Sequence, residues 1–498
     1  MAKKITNFGG NLRFQPGHYH EPRSEDEVLS ILERHAEEHV RCVGSLHAWS
    51  DAVAADVIID LKHLNAVEIQ DTDEDGRLWV RAGAGCTLRR FLDDVHSRTD
   101  YTIPTLGGIT RQTIAGAIST GTHGSGNHSL SHYMEEVRVA AFDEDGRPAV
   151  HTYTGGPELQ AARCAVGCMG VILSVRFRCI PKYWIRENIA KLRSLDEVLE
   201  SERRYPMQQF ALLPYGWEYF VFQWEPLDRE HAGRPGLKAY LHRALDLVGT
   251  DFISHLVLKG VLCAGASQGG SSRLIRWFYS KALPPMVAHR RNVTDRSDHM
   301  LTLAHDLFRH LEMELFVPAA RLADAVAMLQ ALTDWFGGNV AELPPDSRDE
   351  LRRSGLLEEV ESRRGFYSHH YPFVIRRVLP DDTLISMTAD AEQPYYSLSL
   401  FTYLPPSHRA NFYRYADMTA RVMCSLYDAR LHWGKYFPLA HEDVARLYPS
   451  LPTFRELCEA NDPNGVFQND FTRAALGFSG AKTGKQPVSD RLENAGRP

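Results

Sequence analysis

Arg41-Cys42-Val43-Gly44-Ser45-Leu46-His47-Ala48-Trp49-Ser50 is a strand that runs into a loop of small residues. Successive backbone N–H groups in such a turn can converge on an anion and form a nest for phosphate. Gly44 permits unusual backbone angles, and Ser45 and Ser50 add hydroxyl donors. Alone the pattern is not specific. Many strand-to-turn junctions carry glycine and serine, and a histidine such as His47 is ordinarily a polar loop residue there. A second stretch supplies the context. Pro104-Thr105-Leu106-Gly107-Gly108-Ile109 leads into Thr113-Ile114-Ala115-Gly116-Ala117-Ile118-Ser119-Thr120-Gly121-Thr122-His123-Gly124-Ser125-Gly126. Ile114, Ala115, Ala117 and Ile118 are expected in a core, and a buried glycine-rich run marks close approach of backbone to a ligand, here something large and flat. The hydroxyls of Thr113, Thr120 and Thr122 offer donors to carbonyls or phosphates. The alternative is a glycine-rich surface loop. Neither stretch is G-x-G-x-x-G after a strand, so a nicotinamide Rossmann site is not supported.

Outward from these motifs the chain divides into three regions. From about 20 to 185, short apolar runs alternate with glycine-rich turns. Ser24-Glu25-Asp26-Glu27 is a capping-box pattern, followed by Val28, Leu29, Ile31, Leu32 and Ala36 on one helical face. Strands are expected at Val40–Val43, Asp56–Leu61, Leu78–Ala82 and Val137–Phe142, the last opening a hairpin through Glu144-Asp145-Gly146. This is an α+β pattern, without strict βαβ alternation. From about 186 to 425, Gln209–Gln223, Met313–Val317, Phe373–Leu379 and Tyr395–Tyr403 read as strands. A Leu-rich helical insert, roughly Pro235–His289, and a helix Ala319–Phe336 lie between them, which suits a sheet covered by helices on one face. After 425 come His432-Trp433-Gly434-Lys435, two short helices and Phe467-Gln468-Asn469-Asp470. Residues 481–498 lack apolar content and read as a disordered tail.

Bulk composition narrows the class. A chain of 498 residues has room for two or three domains, and 44% hydrophobic with 24% charged residues is ordinary for a globular protein. Acids outnumber bases 63 to 56, so nucleic acid is not an expected partner. Eight cysteines lie without C-x-x-C spacing or the flanks of a zinc site, which fits buried thiols in a reducing compartment. The first residues hold no signal-length apolar core, and no apolar run reaches the ~20 residues of a membrane span. Phe252–Ala266, interrupted by Ser254, His255 and Lys259, is expected to be a packed helix. A cytoplasmic protein without an integral membrane segment is expected, its oligomeric state open. The 23 histidines show no H-E-x-x-H spacing, so a metal-dependent hydrolase is not supported.

With both motifs and His432-Trp433-Gly434-Lys435, the chain resembles the vanillyl-alcohol-oxidase-type (PCMH-type) FAD-linked oxidases, and within them the aldonolactone and alditol oxidase branch that includes the L-gulonolactone and D-arabinonolactone oxidases. The resemblance extends over Pro22-x-Ser24, Ala165-Val166-Gly167-Cys168-Met169-Gly170-Val171-Ile172, the Met313–Pro318 strand and Pro372…Arg376. It implies a two-part FAD-binding domain with an interposed α+β cap domain. Residues 1–185 form the first part, 186–425 the cap over the isoalloxazine, and 426–480 return to the FAD domain. It implies FAD attached through its 8α-methyl carbon to His47. Cofactor contacts then fall on Val43, Gly44, Ser45, Leu46, Ala48, Trp49 and Ser50. They continue through Gly107, Gly108, Thr113, Gly116, Thr120, Gly121, Thr122 and His123, with Ile172 and His432 nearby.

The implied reaction is oxidation of a CH–OH group in a lactone, polyol or related alcohol, with hydride transfer to flavin N5. The resemblance places Lys435 near the substrate hydroxyl, where desolvation beside a second cation, Arg376, could make it a base. Arg376 would also stabilise charge on the alkoxide or at the flavin N1–C2=O locus. One position departs from the family. The usual Glu-x-Arg of the cap strand reads Val374-Ile375-Arg376, and Ser399-Leu400-Phe401 is apolar, so a substrate less polar than a free sugar alcohol, or one bound mainly at its reacting end, is expected. His369, His370, Tyr371 and Tyr403 could supply polarity there, and the insert could reshape the pocket mouth. Gly107 matches the position near the reactive flavin carbon, and its missing side chain favours O2 as acceptor, with hydrogen peroxide as product. A dehydrogenase using another acceptor and a flavin-binding protein without turnover remain as alternatives.

Overall fold

The computed structural model describes residues 3–228, 260, 272–286, 292–302 and 309–478. Most of the helical insert expected over 235–289 and of the apolar stretch Phe252–Ala266, and all of the tail 481–498, lie outside the described residues.

The helix Glu25–Arg34 begins where the sequence demands. Ser24 Oγ accepts from Glu27 N, three acids occupy the first turn and Arg34 the last, complementing the helix dipole. The Glu27 carboxylate accepts from Arg23 N, one residue earlier than a reciprocal capping box requires. Val28, Ile31 and Leu32 share one apolar core with Val40, Val57 and Ile59 on one side and Val137 and Val139 on the other. The helix thus fills the space between two sheets. The smaller is parallel, in the order His18–His20, Val57–Asp60, Val40–Val43. The larger is antiparallel, with Pro148–Tyr153, Met134–Phe142, Val171–Pro181, Leu78–Gly83 and Val67–Thr72 in order, and Tyr101–Thr102 paired to Val171–Pro181. The expected hairpin closes through Asp143–Arg147, with Gly146 at φ +74°.

The second domain is built on an eight-stranded sheet. Its order is Val293–Arg296, Trp184–Leu192, Tyr219–Leu227, Gln209–Leu212, Phe373–Val378, Tyr395–Thr402, Leu311–Pro318, Arg430–Leu431. The single strand expected over Gln209–Gln223 is instead a hairpin. Leu213 N bonds Glu218 O, and Tyr215 and Trp217 take φ of +66° and +53° around Gly216, a turn that the surrounding aromatic run conceals in the sequence. Helices Leu322–Phe336 and Ala410–Tyr427 bury one face of the sheet, packing Leu329, Leu332, Phe412 and Tyr415 into the core that holds Leu315, Ile375 and Leu398. The other face carries the alternate residues. Across it run two rows in register: Gln209, Arg376, Ser397 and Phe316; then Ala211, Val374, Ser399 and Glu314.

The C-terminal segment belongs to both halves. Arg430–Leu431 is the edge strand of the large cap sheet. Farther on, Val40 N bonds Val466 O, and the buried Arg41 guanidinium donates to Ala52 O and Phe467 O at 2.6 Å each and to Val166 O. No helix among the described residues is long and apolar enough to cross a membrane.

Candidate active site

The loop after Val43 presents its first five residues and buries the next two. Gly44 through Ala48 are exposed or half-buried, whereas Trp49 and Ser50 are buried. The buried pair is anchored to the C-terminal tetrapeptide. Trp49 N donates to Gly434 O at 2.8 Å, and Ser50 Oγ donates to Trp433 O at 2.7 Å. Trp49 Nε1 reaches His310 O at 2.9 Å. Leu46 sits in the left-handed region at φ +56°, a strained conformation for a branched residue, and its carbonyl accepts from Phe8 N. The ring of Phe8 stacks on His47 with centroids 4.7 Å apart. The exposed side of the loop opens into a cleft of about 570 Å³ lined by Phe8, Ser45, His47, Arg89, Arg111 and Arg309, a cationic lining suited to phosphate groups.

Several glycines have a different reason than the one expected from the sequence. A Cβ on Gly44 would stand 2.2 Å from Thr113 Oγ1, one on Gly107 2.9 Å from Thr122 Cγ2, and one on Gly121 2.8 Å from Met387 Cε. At these positions the missing side chain makes room for neighbouring protein atoms, so Gly107 has a packing role as well. Gly116 differs. It is exposed on the helix Ile114–Ser119, where a Cβ would meet only Thr113 Oγ1 at 3.1 Å. Thr113 caps that helix through Gly116 N, and half-buried Thr120 stands one turn on, against Gly434. Gly44–Ala48, half-buried Gly108, Gly116 and Thr120 are thus the accessible parts of two motifs whose remaining residues are largely buried. Such a wall of small residues beside a cationic cleft fits FAD. Thr122 is buried with its hydroxyl on Gln112 Oε1 at 3.4 Å, and Ile172 is a core residue paired with Val139.

Facing this wall, the cap sheet carries a charge cluster. Glu312 and Glu314 alternate on one face of the strand Leu311–Pro318. Lys435 Nζ bonds Glu312 Oε2 and lies 4.5 Å over the Trp49 ring. Glu314, 2% exposed, accepts from Ser399 Oγ at 3.1 Å and pairs with His123 Nε2 at 3.3 Å. His123 Nδ1 faces Gly124 O at 2.9 Å, so both ring nitrogens face oxygen atoms. His432 Nδ1 accepts from Gly434 N at 3.0 Å, which leaves the hydrogen on Nε2. Burial pushes the His432 imidazolium down to about 3, against the pull of Glu314, so the ring is neutral. Burial raises the Glu312 carboxyl, opposed by Lys435 and reinforced by Glu314. Burial works on Glu314 in the same sense, but His123, Lys435 and His432 together hold it well below the usual carboxylate range. Arg376 Nε donates to Gln209 Oε1 at 3.1 Å, and its charge also bears on Glu312.

Lys435, Arg376, His123 and His432 lie around Glu312 and Glu314, so the cluster differs from a pair of bare cations. The carboxylate missing at Val374 is present two strands away: Glu314 lies in the same cross-sheet row, through Ser399. Glu312 and Glu314 escaped notice in the sequence, although Glu-x-Glu inside the otherwise apolar LEMELFVP was the available signal. His369 and His370 do not open onto this face. His369 is buried and stacked on Phe373 at 4.4 Å, and His370 is buried against Thr402. Tyr371, Phe401, Tyr403 and His310 instead form an aromatic cluster with centroids 4.9–5.5 Å apart, edge to face at Phe401 and tilted at Tyr403, and His310 continues to Trp49 and Phe8. Beyond them the described part of the insert packs Ile275, Phe278 and Tyr279 with Leu213, Phe220, Tyr371 and Tyr403.

Residues 175–475 match the family D-arabinono-1,4-lactone oxidase, and residues 16–148 match the FAD binding domain. A long-chain alcohol oxidase of an uncultured marine euryarchaeote is 42% identical over 477 residues, covering 95% of this chain and 97% of that one. An L-gulonolactone oxidase of Scyliorhinus torazame is 24% identical over 486 residues, covering 95% and 98%. Among solved structures, a cholesterol oxidase from B. sterolicum has the same fold, with a TM-score of 0.69 at 15% identity over 96% of this chain and 97% of that one.

Proposed function

The chain belongs to the D-arabinono-1,4-lactone oxidase family of FAD-dependent oxidoreductases acting on CH–OH groups, and from that premise we propose that its substrate is a long-chain alcohol. One observation carries this reading: the carboxylates of the cap-sheet face are already engaged by protein groups. Glu312 is held by Lys435, Glu314 by His123 and Ser399, and Arg376 by Gln209. A sugar or polyol would have to break these contacts to bind its hydroxyls. What borders the cluster is aromatic and apolar, from His310 through Tyr403 to Phe278. The 42% identical long-chain alcohol oxidase supports the same substrate class.

The domain division proposed is an FAD domain of residues 1–185 completed by 426–480, with 186–425 as the cap. FAD, when bound, supplies the acceptor for the substrate's hydride. The cofactor contacts proposed are the accessible residues of the loop Gly44–Ala48 with Gly108, Gly116 and Thr120, and His47 is the attachment point. Lys435 hydrogen-bonds the substrate oxygen, and the adjacent Glu312 carboxylate takes the hydroxyl proton. Arg376, on the same face, stabilises negative charge as it develops. Neutral His432 donates through Nε2 and adds no charge. O2 is the proposed acceptor, to be read as hydrogen peroxide release.

Substrate choice is tested with a series of linear alcohols of increasing length beside lactones and polyols. Each buried methylene contributes about 0.8 kcal/mol, so kcat/KM should rise roughly fourfold per carbon until the pocket is filled. A lactone or polyol turned over better than the longest alcohol would overturn the reading. Attachment is tested separately: denatured protein should keep flavin fluorescence on a gel, and His47→Ala should lose it.

A further inference from the structure

Far along the FAD domain from the charge cluster, three imidazoles converge. His18 and His20 are separated by one residue on the strand His18–His20 and so project to the same face, while Tyr19 turns away to bond Asp60. His35 is the residue that ends the helix Glu25–Arg34. The His18 and His20 rings stand 4.8 and 5.0 Å from that of His35, and 6.2 Å from each other. One ring nitrogen from each lies within 4.8 Å of the others, and His20 Nε2 is 3.0 Å from His35 Nε2. His35 is buried, His20 half-buried and His18 exposed. The His35 Nδ1 hydrogen goes to Glu38 Oε1 at 2.7 Å, which leaves its Nε2 lone pair aimed at the other two rings. A carboxylate on the far nitrogen of an imidazole is the arrangement that orients histidines at metal centres.

We propose that His18, His20 and His35 bind a divalent cation of the zinc class, with Glu38 orienting His35. Three imidazole nitrogens suit zinc, copper or nickel better than calcium or magnesium, and leave a fourth position for water. The charged groups facing the site are Glu38, which favours a cation, and Arg34, which opposes one. His20 frees its Nε2 by moving its hydrogen to Nδ1, so binding needs no net proton release. The ion would staple the strand His18–His20 to the end of the helix. That strand pairs with Val57–Asp60, which pairs with Val40–Val43, the strand that opens into the cofactor loop. The role is therefore structural support of the cofactor end, separate from turnover.

The test uses the flavin-loaded full chain, stripped with a chelator and titrated with zinc chloride by calorimetry, with metal analysis after gel filtration. About one zinc per chain and a raised thermal midpoint are expected. His18→Gln, at an exposed position that folding does not need, should abolish both, as should His35→Gln. Glu38→Gln should weaken binding about 10- to 100-fold. Turnover of the parent should be the same with and without zinc. Absence of binding, or equal binding by parent and His18→Gln, would overturn the proposal, the latter by placing the ion elsewhere, for instance at His123, Glu314 and His432.

Discussion

Replacing Glu312 by glutamine removes the carboxylate that Lys435 bonds while preserving shape and hydrogen-bonding capacity. Glu312 is 5% exposed, so the pair is well shielded from water. Two unit charges about 4 Å apart attract by about 4 kcal/mol at an effective dielectric near 20. Removing one partner of a buried pair typically costs about 3–5 kcal/mol, because the other charge stays desolvated. Lys435 keeps its contact with the Trp49 ring, worth about 1–2 kcal/mol, so the expected loss lies near the lower end, about 3 kcal/mol. Lys435→Met should lose a similar amount. The double variant Glu312→Gln, Lys435→Met should recover most of the loss, with a coupling energy of at least about 2 kcal/mol. The assay is urea unfolding of flavin-loaded protein, followed by flavin and tryptophan fluorescence. In turnover, Glu312→Gln should lose about 10²- to 10⁴-fold in kcat as the proton acceptor disappears. If Glu312→Gln unfolds at the parent's midpoint, or the two single losses simply add, the counter-ion argument fails. Lys435 would then stand beside Arg376 as the sequence alone implied.

Val374→Glu, which restores the family's usual residue, should destabilise the protein by about 3 kcal/mol, since its carboxylate would share a row with the Glu314 carboxylate, whose His123 and Ser399 partners are already engaged. An undiminished urea midpoint would refute this. Gly107→Ala forces a Cβ to 2.9 Å from Thr122 Cγ2 and 3.2 Å from His123 O, so it should cost about 1–3 kcal/mol, measured with and without oxygen. A change in oxygen reactivity at unchanged stability would show instead that the position acts on oxygen alone. Burial lowers His370 and His96 to about 4, and raises Asp462 to about 6. The unfolded chain protonates both histidines near pH 6.5 and the folded chain does not, so their contribution is complete above pH 6.5 and lost as pH falls towards 4. Asp462 acts oppositely between pH 6 and 4 and so offsets about one of these two histidines there. His370→Phe should flatten the urea midpoint between pH 6.5 and 4.5, and an equally steep variant would refute the assignment.

The cofactor end was legible because its signals are local. Ser24 before an amphipathic run and Val40–Val43 before Gly44 both depend on neighbours within four residues. His432 and Lys435 were found only through resemblance, and the structure brings them to His123, Glu314 and Glu312. The two glutamates stayed hidden for a physical reason. Alternating Glu in a strand ordinarily marks a face turned to water. Here that face is turned inward, and only the pairing of Ser399 with Glu314 on one side and Val374 on the other shows that one carboxylate occupies the row of another. The glycines misled in the opposite direction. A residue without a side chain marks close approach, but spacing cannot say whether Thr113 or a ligand does the approaching.

The guanidinium of Arg41 closes on the carbonyl of Phe467, 426 residues later in the chain. A ribosome adding about 5–20 residues per second needs roughly 20–85 s to cover that distance. Throughout that interval the nascent FAD half has its loop but neither Gly434 to hold Trp49 nor Phe467 to satisfy Arg41. Closure of the cofactor loop on its C-terminal anchors therefore waits for the synthesis of residue 467.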